Sequence, residues 1–450
     1  MEYPGAHFTR PWRRLLLSLT MLGFFIIAPA VIISTIGYKY NWIEKKLKAT
    51  GALSIDVAPS QARVYLNGTK LPGNLPLRLN HVPPGNYTVR LTNAEFYDWQ
   101  KDLTIRSNET VYLKDIILIK KNESIALRSG TFTALTLSPD GRYLVFTSSS
   151  AKNREVWLLN TEIATANAVM SLVATSTALT FSWSPKNDYA AIITGNSPSL
   201  KITLVPAATP ERTIPLGALV AGSVKKIEWA NSTDPALYVN IDKKLLLVSP
   251  LTKEVQVIKK NNNFIDWFFE NNRLWALQMA SSTREITIVK DALGFSSIIH
   301  TFATEETTMA TSTSWQLNEA NGETALLQNT KKQEQILINN QGSFKLPSGT
   351  SRISPFQNWW FIWSPWELWG YTGKGEPFLL NRSGEKLNNV VPIDEFNTVA
   401  LIWENRVTAF FPNYGTQQTI INRPINSLAA NPKQRIIYFA DDQGLWKLPY

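Results

Sequence analysis

The chain has 450 residues, too many for one ordinary hydrophobic core, so two or three domains are expected. Aromatic residues make up 11% and charged residues 18%, which is typical of strand-rich proteins and excludes a disordered chain, while the lack of cysteine excludes disulfides, thiolate metal sites and a cysteine nucleophile. The net charge is +10, but residues 1–50 carry half of it, with seven Lys or Arg against two Glu, so we predict no nucleic-acid partner.

The first predicted element is a transmembrane helix over residues 15–38, a run of twenty-four positions without a charge. At about 1.5 Å per residue it reaches about 36 Å, enough to cross a hydrocarbon core of about 30 Å. Residues 1–14 are then a tail, and residues 39–50 a juxtamembrane linker. A cleaved signal peptide is the alternative, with cleavage near Ala28–Ala30, but the apolar run continues to Ile36 and favours an uncleaved anchor.

Residues 51–118 alternate short apolar–polar runs with turn residues such as Asn67-Gly68. Six short strands in about seventy residues predict a small antiparallel β-sandwich. The predicted strands are Leu53–Val57, Ala62–Leu66, Leu75–Leu79, Tyr87–Leu91, Asp102–Ile105 and Thr110–Leu113.

The spacing of apolar and turn residues in this region resembles the PEGA domain, a small β-sandwich of prokaryotic cell-envelope and membrane-anchored proteins. The tetrapeptide that gives the family its name is absent, and Pro59-Ser60-Gln61-Ala62 stands in its place. The resemblance implies a surface spacer or adhesion element outside the membrane. Because Lys and Arg flank both ends of the helix, it is this resemblance that favours a cytoplasmic N-terminus and extracytoplasmic C-terminal domains. The matching segments are Ile55-x-Val57-x-Pro59, Ala62-x-Val64-Tyr65-Leu66-Asn67-Gly68, Pro76-Leu77-x-Leu79 and Val82-Pro83-Pro84-Gly85-x-Tyr87-x-Val89.

Residues 119–450 contain a repeated pattern of strand, turn and strand, clearest in 132–147 and 179–193. A period of about forty residues is that of four-stranded propeller blades. The Ser-Pro-Asp-Gly turn at 138–141 resembles the TolB-like and WD-repeat-like β-propellers. We predict eight blades, with seven as the alternative. The copies begin near Phe132, Leu179, Val224, Asn263, Ser312, Ser351, Thr398 and Ile425.

The last copy has only three clear strands before Tyr450, so a closed ring needs a fourth strand from elsewhere. The segment Glu123–Arg128 precedes the first blade and is predicted to pair there. The expected fold class is an all-β ectodomain, a small sandwich plus a propeller of seven or eight blades, behind one transmembrane helix.

Residues suited to chemistry are sparse. His7, His81 and His300 lack zinc-ligand spacing, and no Gly-x-Ser-x-Gly motif is present. Asp140-Gly141 and Asp441-Asp442 fit turns better than calcium loops. We therefore predict no enzymatic activity, no cofactor and no metal.

The sharpest local feature is a run of five tryptophans in eleven residues. Their alternation fits packing between blades, while an exposed subset would form a partner-binding platform. If the tryptophans form such a platform, the predicted partner-binding residues are Trp366, Trp369 and Trp360. Trp366 and Trp369 are chosen because they flank the Pro365 turn. The five are Trp359, Trp360, Trp363, Trp366 and Trp369.

These features predict a non-enzymatic, single-pass cell-envelope protein whose propeller binds a protein or glycan partner, with the PEGA-like module as stalk. One alternative is a propeller-type hydrolase or lyase acting on envelope polysaccharide. Carboxylates with perturbed pKa values clustered in the central channel would favour that enzyme. The other alternative is a purely structural surface-layer spacer.

Overall fold

A computed structural model describes residues 10–35, 38–41, 46–150, 152–173, 178–186, 188–241, 244–260, 264–270, 272–279, 286–291, 296–302, 315–329, 334–346, 352–356 and 359–450. The chain divides into two compact units, Met1–Lys121 and Asn122–Tyr450. Apart from the N-terminal helix and one short 3₁₀ turn (Leu216–Ala218), the regular structure of the described residues is β-strand, which confirms the predicted all-β class.

The first unit begins with helix α1 (Arg10–Thr35). Its segment Pro11–Pro29 is long and apolar enough to cross a membrane, and its position near the N-terminus also fits a signal sequence. Strands β1 (Tyr38–Asn41) and β2 (Lys46–Ala49) follow and pair antiparallel. The linker predicted over 39–50 is therefore largely a β-hairpin.

The rest of this unit is the predicted sandwich, with seven strands where six were predicted. The expectation that all its strands pair antiparallel was wrong: Gly51–Ala58 and Thr110–Ile117 pair parallel, because the chain crosses over from the other sheet before the last strand. One sheet has the order β6-β3-β9 and the other the order β5-β4-β7-β8. The strands are β3 (Gly51–Ala58), β4 (Arg63–Leu66), β5 (Thr69–Lys70), β6 (Leu77–Val82), β7 (Gly85–Thr92), β8 (Trp99–Ile105) and β9 (Thr110–Ile117).

Alternation along β3 explains why the sheets pack face to face. Leu53, Ile55 and Val57 are buried, whereas Asp56 between them is exposed. Because successive side chains of a strand point to opposite faces, one face of β3 supplies the core of the sandwich.

The second unit contains eight four-stranded antiparallel sheets among its described residues, which we call blades 1 to 8. Blade 1 is β11 (Phe132–Leu137), β12 (Tyr143–Ser149), β13 (Asn153–Asn160) and β14 (Thr165–Val173); blade 2 is β15 (Leu179–Trp183), β16 (Tyr189–Thr194), β17 (Lys201–Pro206) and β18 (Ile214–Pro215); blade 3 is β19 (Val224–Trp229), β20 (Leu237–Ile241), β21 (Lys244–Ser249) and β22 (Glu254–Lys259); blade 4 is β23 (Phe264–Glu270), β24 (Arg273–Met279), β25 (Ile286–Lys290) and β26 (Ser297–Thr301). Blade 5 is β27 (Trp315–Asn321), β28 (Thr324–Asn329), β29 (Glu334–Asn339) and β30 (Gly342–Lys345); blade 6 is β31 (Arg352–Phe356), β32 (Trp359–Trp363), β33 (Glu367–Tyr371) and β34 (Phe378–Arg382); blade 7 is β35 (Leu387–Pro392), β36 (Val399–Trp403), β37 (Val407–Phe411) and β38 (Thr416–Ile421); blade 8 is β10 (Ile125–Ser129), β39 (Ser427–Asn431), β40 (Ile436–Ala440) and β41 (Gly444–Pro449).

The blades close into a ring because each packs on the next. Buried apolar clusters join blade 1 to 2, 2 to 3, 3 to 4, 4 to 5, 5 to 6, 6 to 7 and 8 to 1. Strands β35 and β39 make the remaining contact, between blades 7 and 8. At six of the eight junctions the first strands of neighbouring blades contact each other, which places these strands on the inside of the ring. The fold is therefore an eight-bladed β-propeller.

Ring closure uses the strand that the sequence predicted. Strand β10 pairs antiparallel with β41, so that Ile125 lies opposite Lys447 and Ser129 opposite Gly444. Blade 8 thus combines one strand from the start of the unit with three from its end, which leaves no gap between first and last blade.

Strand order places two kinds of connection at opposite ends of the ring. Turns between second and third strands share one end with the connections between blades, and turns between first and second strands lie at the other end. One predicted repeat start was wrong. Blade 7 begins at Leu387, and Thr398 lies just before its second strand. The first strand was missed because Asn388, Asn389 and a bulge after Leu387 interrupt its apolar pattern.

Candidate functional site

The turn between β32 and β33 holds Trp366 in a fixed position at the outside of blade 6. The Ser364 hydroxyl accepts hydrogen bonds from the backbone N–H groups of Trp366 (3.3 Å) and Glu367 (3.1 Å). The Trp366 carbonyl accepts from the Ser383 N–H (3.0 Å), and the Pro365 carbonyl accepts from the Leu387 N–H (2.7 Å). Trp366 as a residue is 53% exposed, so this hydrogen-bonded turn presents a large aromatic side chain to solvent.

Glu367, the residue after Trp366, is held by polar neighbours, and Trp369 is partly buried against the cluster between blades 5 and 6. The Trp369 indole N–H donates to Glu367 (3.0 Å), and Arg382 donates to the other oxygen of that carboxylate (3.0 Å). The hydrogen bond from Trp369, followed by those from Arg382, lowers the pKa of Glu367 below its ordinary value, so this group is ionised at neutral pH. We call Ser364–Glu367, Trp369 and Arg382 the Trp366 corner.

The third predicted residue lies elsewhere. Trp360 is 2% exposed and packs with Leu326, Ile362 and Tyr371 between blades 5 and 6. Neighbouring side chains of β32 point to opposite faces, and both faces are covered by blades, so Trp360 has no surface to offer a partner. We correct this part of the prediction and leave Trp360 out of the site; Trp366 and Trp369 remain a predicted site.

Gly370 explains how blade 6 accommodates its tryptophans. A Cβ at this position would lie 2.8 Å from the Trp359 ring and 2.9 Å from a methyl group of Leu380. Only glycine lets the Trp359 ring lie across β33, where it also meets Phe378 edge to face at 5.7 Å between ring centroids.

The sequence interpretation missed a group of charged residues on the inner strands. Lys226 on β19 donates through Nζ to the carbonyls of Trp267 on β23 and Leu317 on β27 (2.9 Å to the latter). It also forms an ion pair with Asp266 at 3.3 Å, with side chains 24% and 15% exposed. One ammonium group therefore connects the inner strands of blades 3, 4 and 5.

Two further carboxyl groups interact with Lys226, those of Glu228 and Glu319. We call these two residues, together with Lys226 and Asp266, the channel cluster. Asp266 accepts the Leu317 N–H at 2.7 Å. Glu228 and Glu319 are partly buried, and desolvation raises the pKa of each to about 7, against the opposing attraction of Lys226. The three carboxyl groups therefore have one ammonium group between them, and two of the three, Glu228 and Glu319, have pKa values near neutral pH.

β-Bulges place these side chains. The pairing of first with second strand shifts after Val224 in blade 3, after Phe264 in blade 4 and after Leu317 in blade 5. A bulge rotates the residues after it relative to the rest of the strand. The three bulges lie at a similar point in the first strands of three successive blades. The signal available in the sequence was a charged residue within the first strand of each of these three repeats.

The predicted turn motifs serve structure. Asp140 accepts hydrogen bonds from the Ser138 hydroxyl (2.6 Å) and the Arg142 N–H (3.0 Å), and Gly141 has φ +78°. Asp441 accepts from the N–H groups of Gln443 and Gly444. Within the described part of the chain no three His, Asp or Glu side chains are arranged to hold a metal ion.

The channel cluster predicts a stability profile that depends on pH. Folded Glu228 and Glu319 keep protons up to about pH 7, whereas the unfolded chain releases them near the ordinary value of 4.5, so stability falls as pH rises through this window. We expect the Glu228→Gln/Glu319→Gln variant to exceed the wild type in stability by about 1–3 kcal/mol at pH 8 and to differ little at pH 4.5. Chemical denaturation at both pH values measures this, and parallel pH profiles would contradict it.

Comparison with known proteins gives one matching family model and a set of solved structures with low sequence identity. Residues 50–117 match the family model of the PEGA domain, which confirms that resemblance. The search of curated proteins gives no match. Similar solved structures include the β-propeller domain of the trilobed protease from Pyrococcus furiosus (10% identity, TM-score 0.36, 84% of this chain and 97% of that chain). Others are Hsv2 from Kluyveromyces lactis (10% identity, TM-score 0.38, 65% and 98%) and a prolyl endopeptidase (10% identity, TM-score 0.35, 79% and 53%). At these values the propeller assignment rests on the sheets and their packing.

Proposed function

We propose that this protein is a non-enzymatic, single-pass cell-envelope protein that binds a protein or glycan partner at the Trp366 corner of its propeller. Helix α1 anchors it, with the N-terminus in the cytoplasm and both folded units outside. The PEGA domain follows the anchor in the sequence and precedes the propeller.

The observation that carries this proposal is the rigid exposure of Trp366. Four hydrogen bonds hold the turn before any partner arrives, two between backbone groups and two from backbone N–H groups to the Ser364 hydroxyl. Binding therefore costs little ordering of that backbone, and the large amphipathic ring is the residue type that dominates binding energy in protein interfaces. Next to Trp366 in the chain, the ionised Glu367 forms an ion pair with the exposed Arg382 at 2.7 Å.

Removing the indole tests the proposal. We expect Trp366→Ala to weaken partner binding by about 2 kcal/mol or more, which is about thirtyfold, without changing the unfolding midpoint. Wild-type protein and variant are compared on a glycan array and by quantitative capture from envelope extracts of the source cells.

Phe396→Ala is the matched control, because Phe396 is also an exposed aromatic residue (40%) but lies in a turn at the opposite end of the ring. Equal binding by wild type and Trp366→Ala would refute the proposed site. Failure of the wild type to retain any partner would favour a structural spacer.

A second candidate function is favoured by the channel cluster. Glu228 and Glu319 have pKa values of about 7, which suits general acid–base catalysis at neutral pH. A propeller-type hydrolase or lyase acting on envelope polysaccharide would use them in these roles. Lys226 and Asp266, by contrast, form hydrogen bonds with backbone groups and are not assigned a catalytic role in this candidate. Turnover of isolated envelope polysaccharide that is lost in Glu319→Gln would favour this candidate over binding.

A further inference from the structure

The hairpin after α1 brings the chain back toward the end of the helix. Strand β1 begins three residues after α1 ends, Tyr38 lies opposite Ala49, and β3 begins at Gly51. An extended chain from Thr35 to Gly51 would span about 55 Å, whereas this return limits the distance to about 25 Å. The PEGA domain therefore starts close to the helix end.

If α1 spans the bilayer, the hairpin starts in the head-group layer. The charge-free run ends at Tyr38, and head groups add roughly 5–8 Å beyond each side of the hydrocarbon core. The first pair of the hairpin, Tyr38 with Ala49, then lies at the boundary between acyl chains and head groups.

The described residues of β2 have the chemistry of an interfacial strand. Leu47 is 51% exposed, and Lys46 and Lys48 on either side of it are exposed as well. Because strand side chains alternate, Leu47 points to one face and the two lysines to the other. A strand lying flat in the interface would place Leu47 toward the acyl chains while the long lysine side chains reach phosphates.

We infer that the β1–β2 hairpin docks on an anionic phospholipid surface and holds the PEGA domain against the bilayer. The inference rests on the proposed membrane anchor. Its partner is the phosphate head-group layer, to which the four lysines of residues 39–50, against Glu44 as the one acidic residue there, are complementary. The PEGA domain is then a membrane-proximal base and not an extended stalk.

The absence of cysteine makes a direct test simple. Full-length protein carrying a single nitroxide at Leu47→Cys is placed in nanodiscs of phosphatidylcholine, with or without 30% phosphatidylglycerol, and its exposure to oxygen and to a water-soluble nickel reagent is measured. Ser60→Cys is the control. Ser60 is exposed and lies beyond the end of β3, about 26 Å along that strand from its start at Gly51.

We expect the label at 47 to favour oxygen over nickel in anionic nanodiscs, and the label at 60 to favour nickel in both. Lys46→Gln/Lys48→Gln should lower the ratio of docked to undocked protein by about fivefold per lysine. Equal nickel access at 47 and 60 in anionic discs would overturn the inference. Failure of the anchor itself is distinguishable, since mass spectrometry of the cellular protein would then show cleavage within residues 1–38 and no membrane association.

Discussion

Replacing Lys226 by Ala is expected to lower the free energy of unfolding of the propeller by about 2–4 kcal/mol. The ammonium group donates to backbone carbonyls of blades 4 and 5 and pairs with Asp266, which is 15% exposed. Without it, a carboxylate with little access to solvent loses its counter-charge, and two carbonyls lose a donor. Urea unfolding followed by tryptophan fluorescence measures the loss.

Lys201→Ala is the matched control, because Lys201 is an exposed lysine at the start of β17. It should change stability by less than about 0.5 kcal/mol. We also expect Lys226→Ala combined with Asp266→Asn to recover part of the loss, because the uncompensated charge is then gone. A Lys226→Ala protein as stable as the Lys201→Ala protein would show that the ammonium group does not hold the inner strands together.

Gly444→Ala is expected to open the ring at blade 8. A Cβ at Gly444 would lie 2.5 Å from the backbone carbonyl oxygen of Arg128, on the strand that closes the ring. A backbone atom cannot move aside without disturbing the pairing of β10 with β41, so we expect a loss of about 2–4 kcal/mol and faster proteolysis within residues 122–131.

Gly384→Ala provides the comparison, since an added Cβ there meets nothing within 4 Å. Thermal unfolding and limited proteolysis of both variants distinguish ring closure from a general effect of alanine. Unchanged stability and unchanged proteolysis near β10 in Gly444→Ala would contradict the expected clash between a Cβ at position 444 and the Arg128 carbonyl.

Features carried by local sequence were predictable. The turn at Asn67-Gly68 and the spacing around it indicated the PEGA domain, and the missing strand of the last repeat indicated closure by Glu123–Arg128. The PEGA pattern lies within about seventy consecutive residues. Ring closure joins distant segments, but the count of strands in the last repeat was enough to indicate it.

Features that depend on distant contacts were missed. Lys226, Asp266 and Glu319 meet only because the ring brings three inner strands together. The burial of Trp360 also needed the neighbouring blade, since alternation on β32 indicates two faces but not what covers each. Lysines after α1 fitted a membrane flank, and no local signal predicted that this segment pairs as a hairpin.

The central functional claim is that the propeller acts by contact at the Trp366 corner. A photo-reactive phenylalanine analogue placed at position 366 or, for comparison, at position 396 of the full-length protein in intact cells tests it most directly. We predict a specific cross-linked partner at 366 and none at 396, because the two exposed aromatic positions lie at opposite ends of the ring. Cross-linking that is absent at 366, or the same at both positions, would contradict the account.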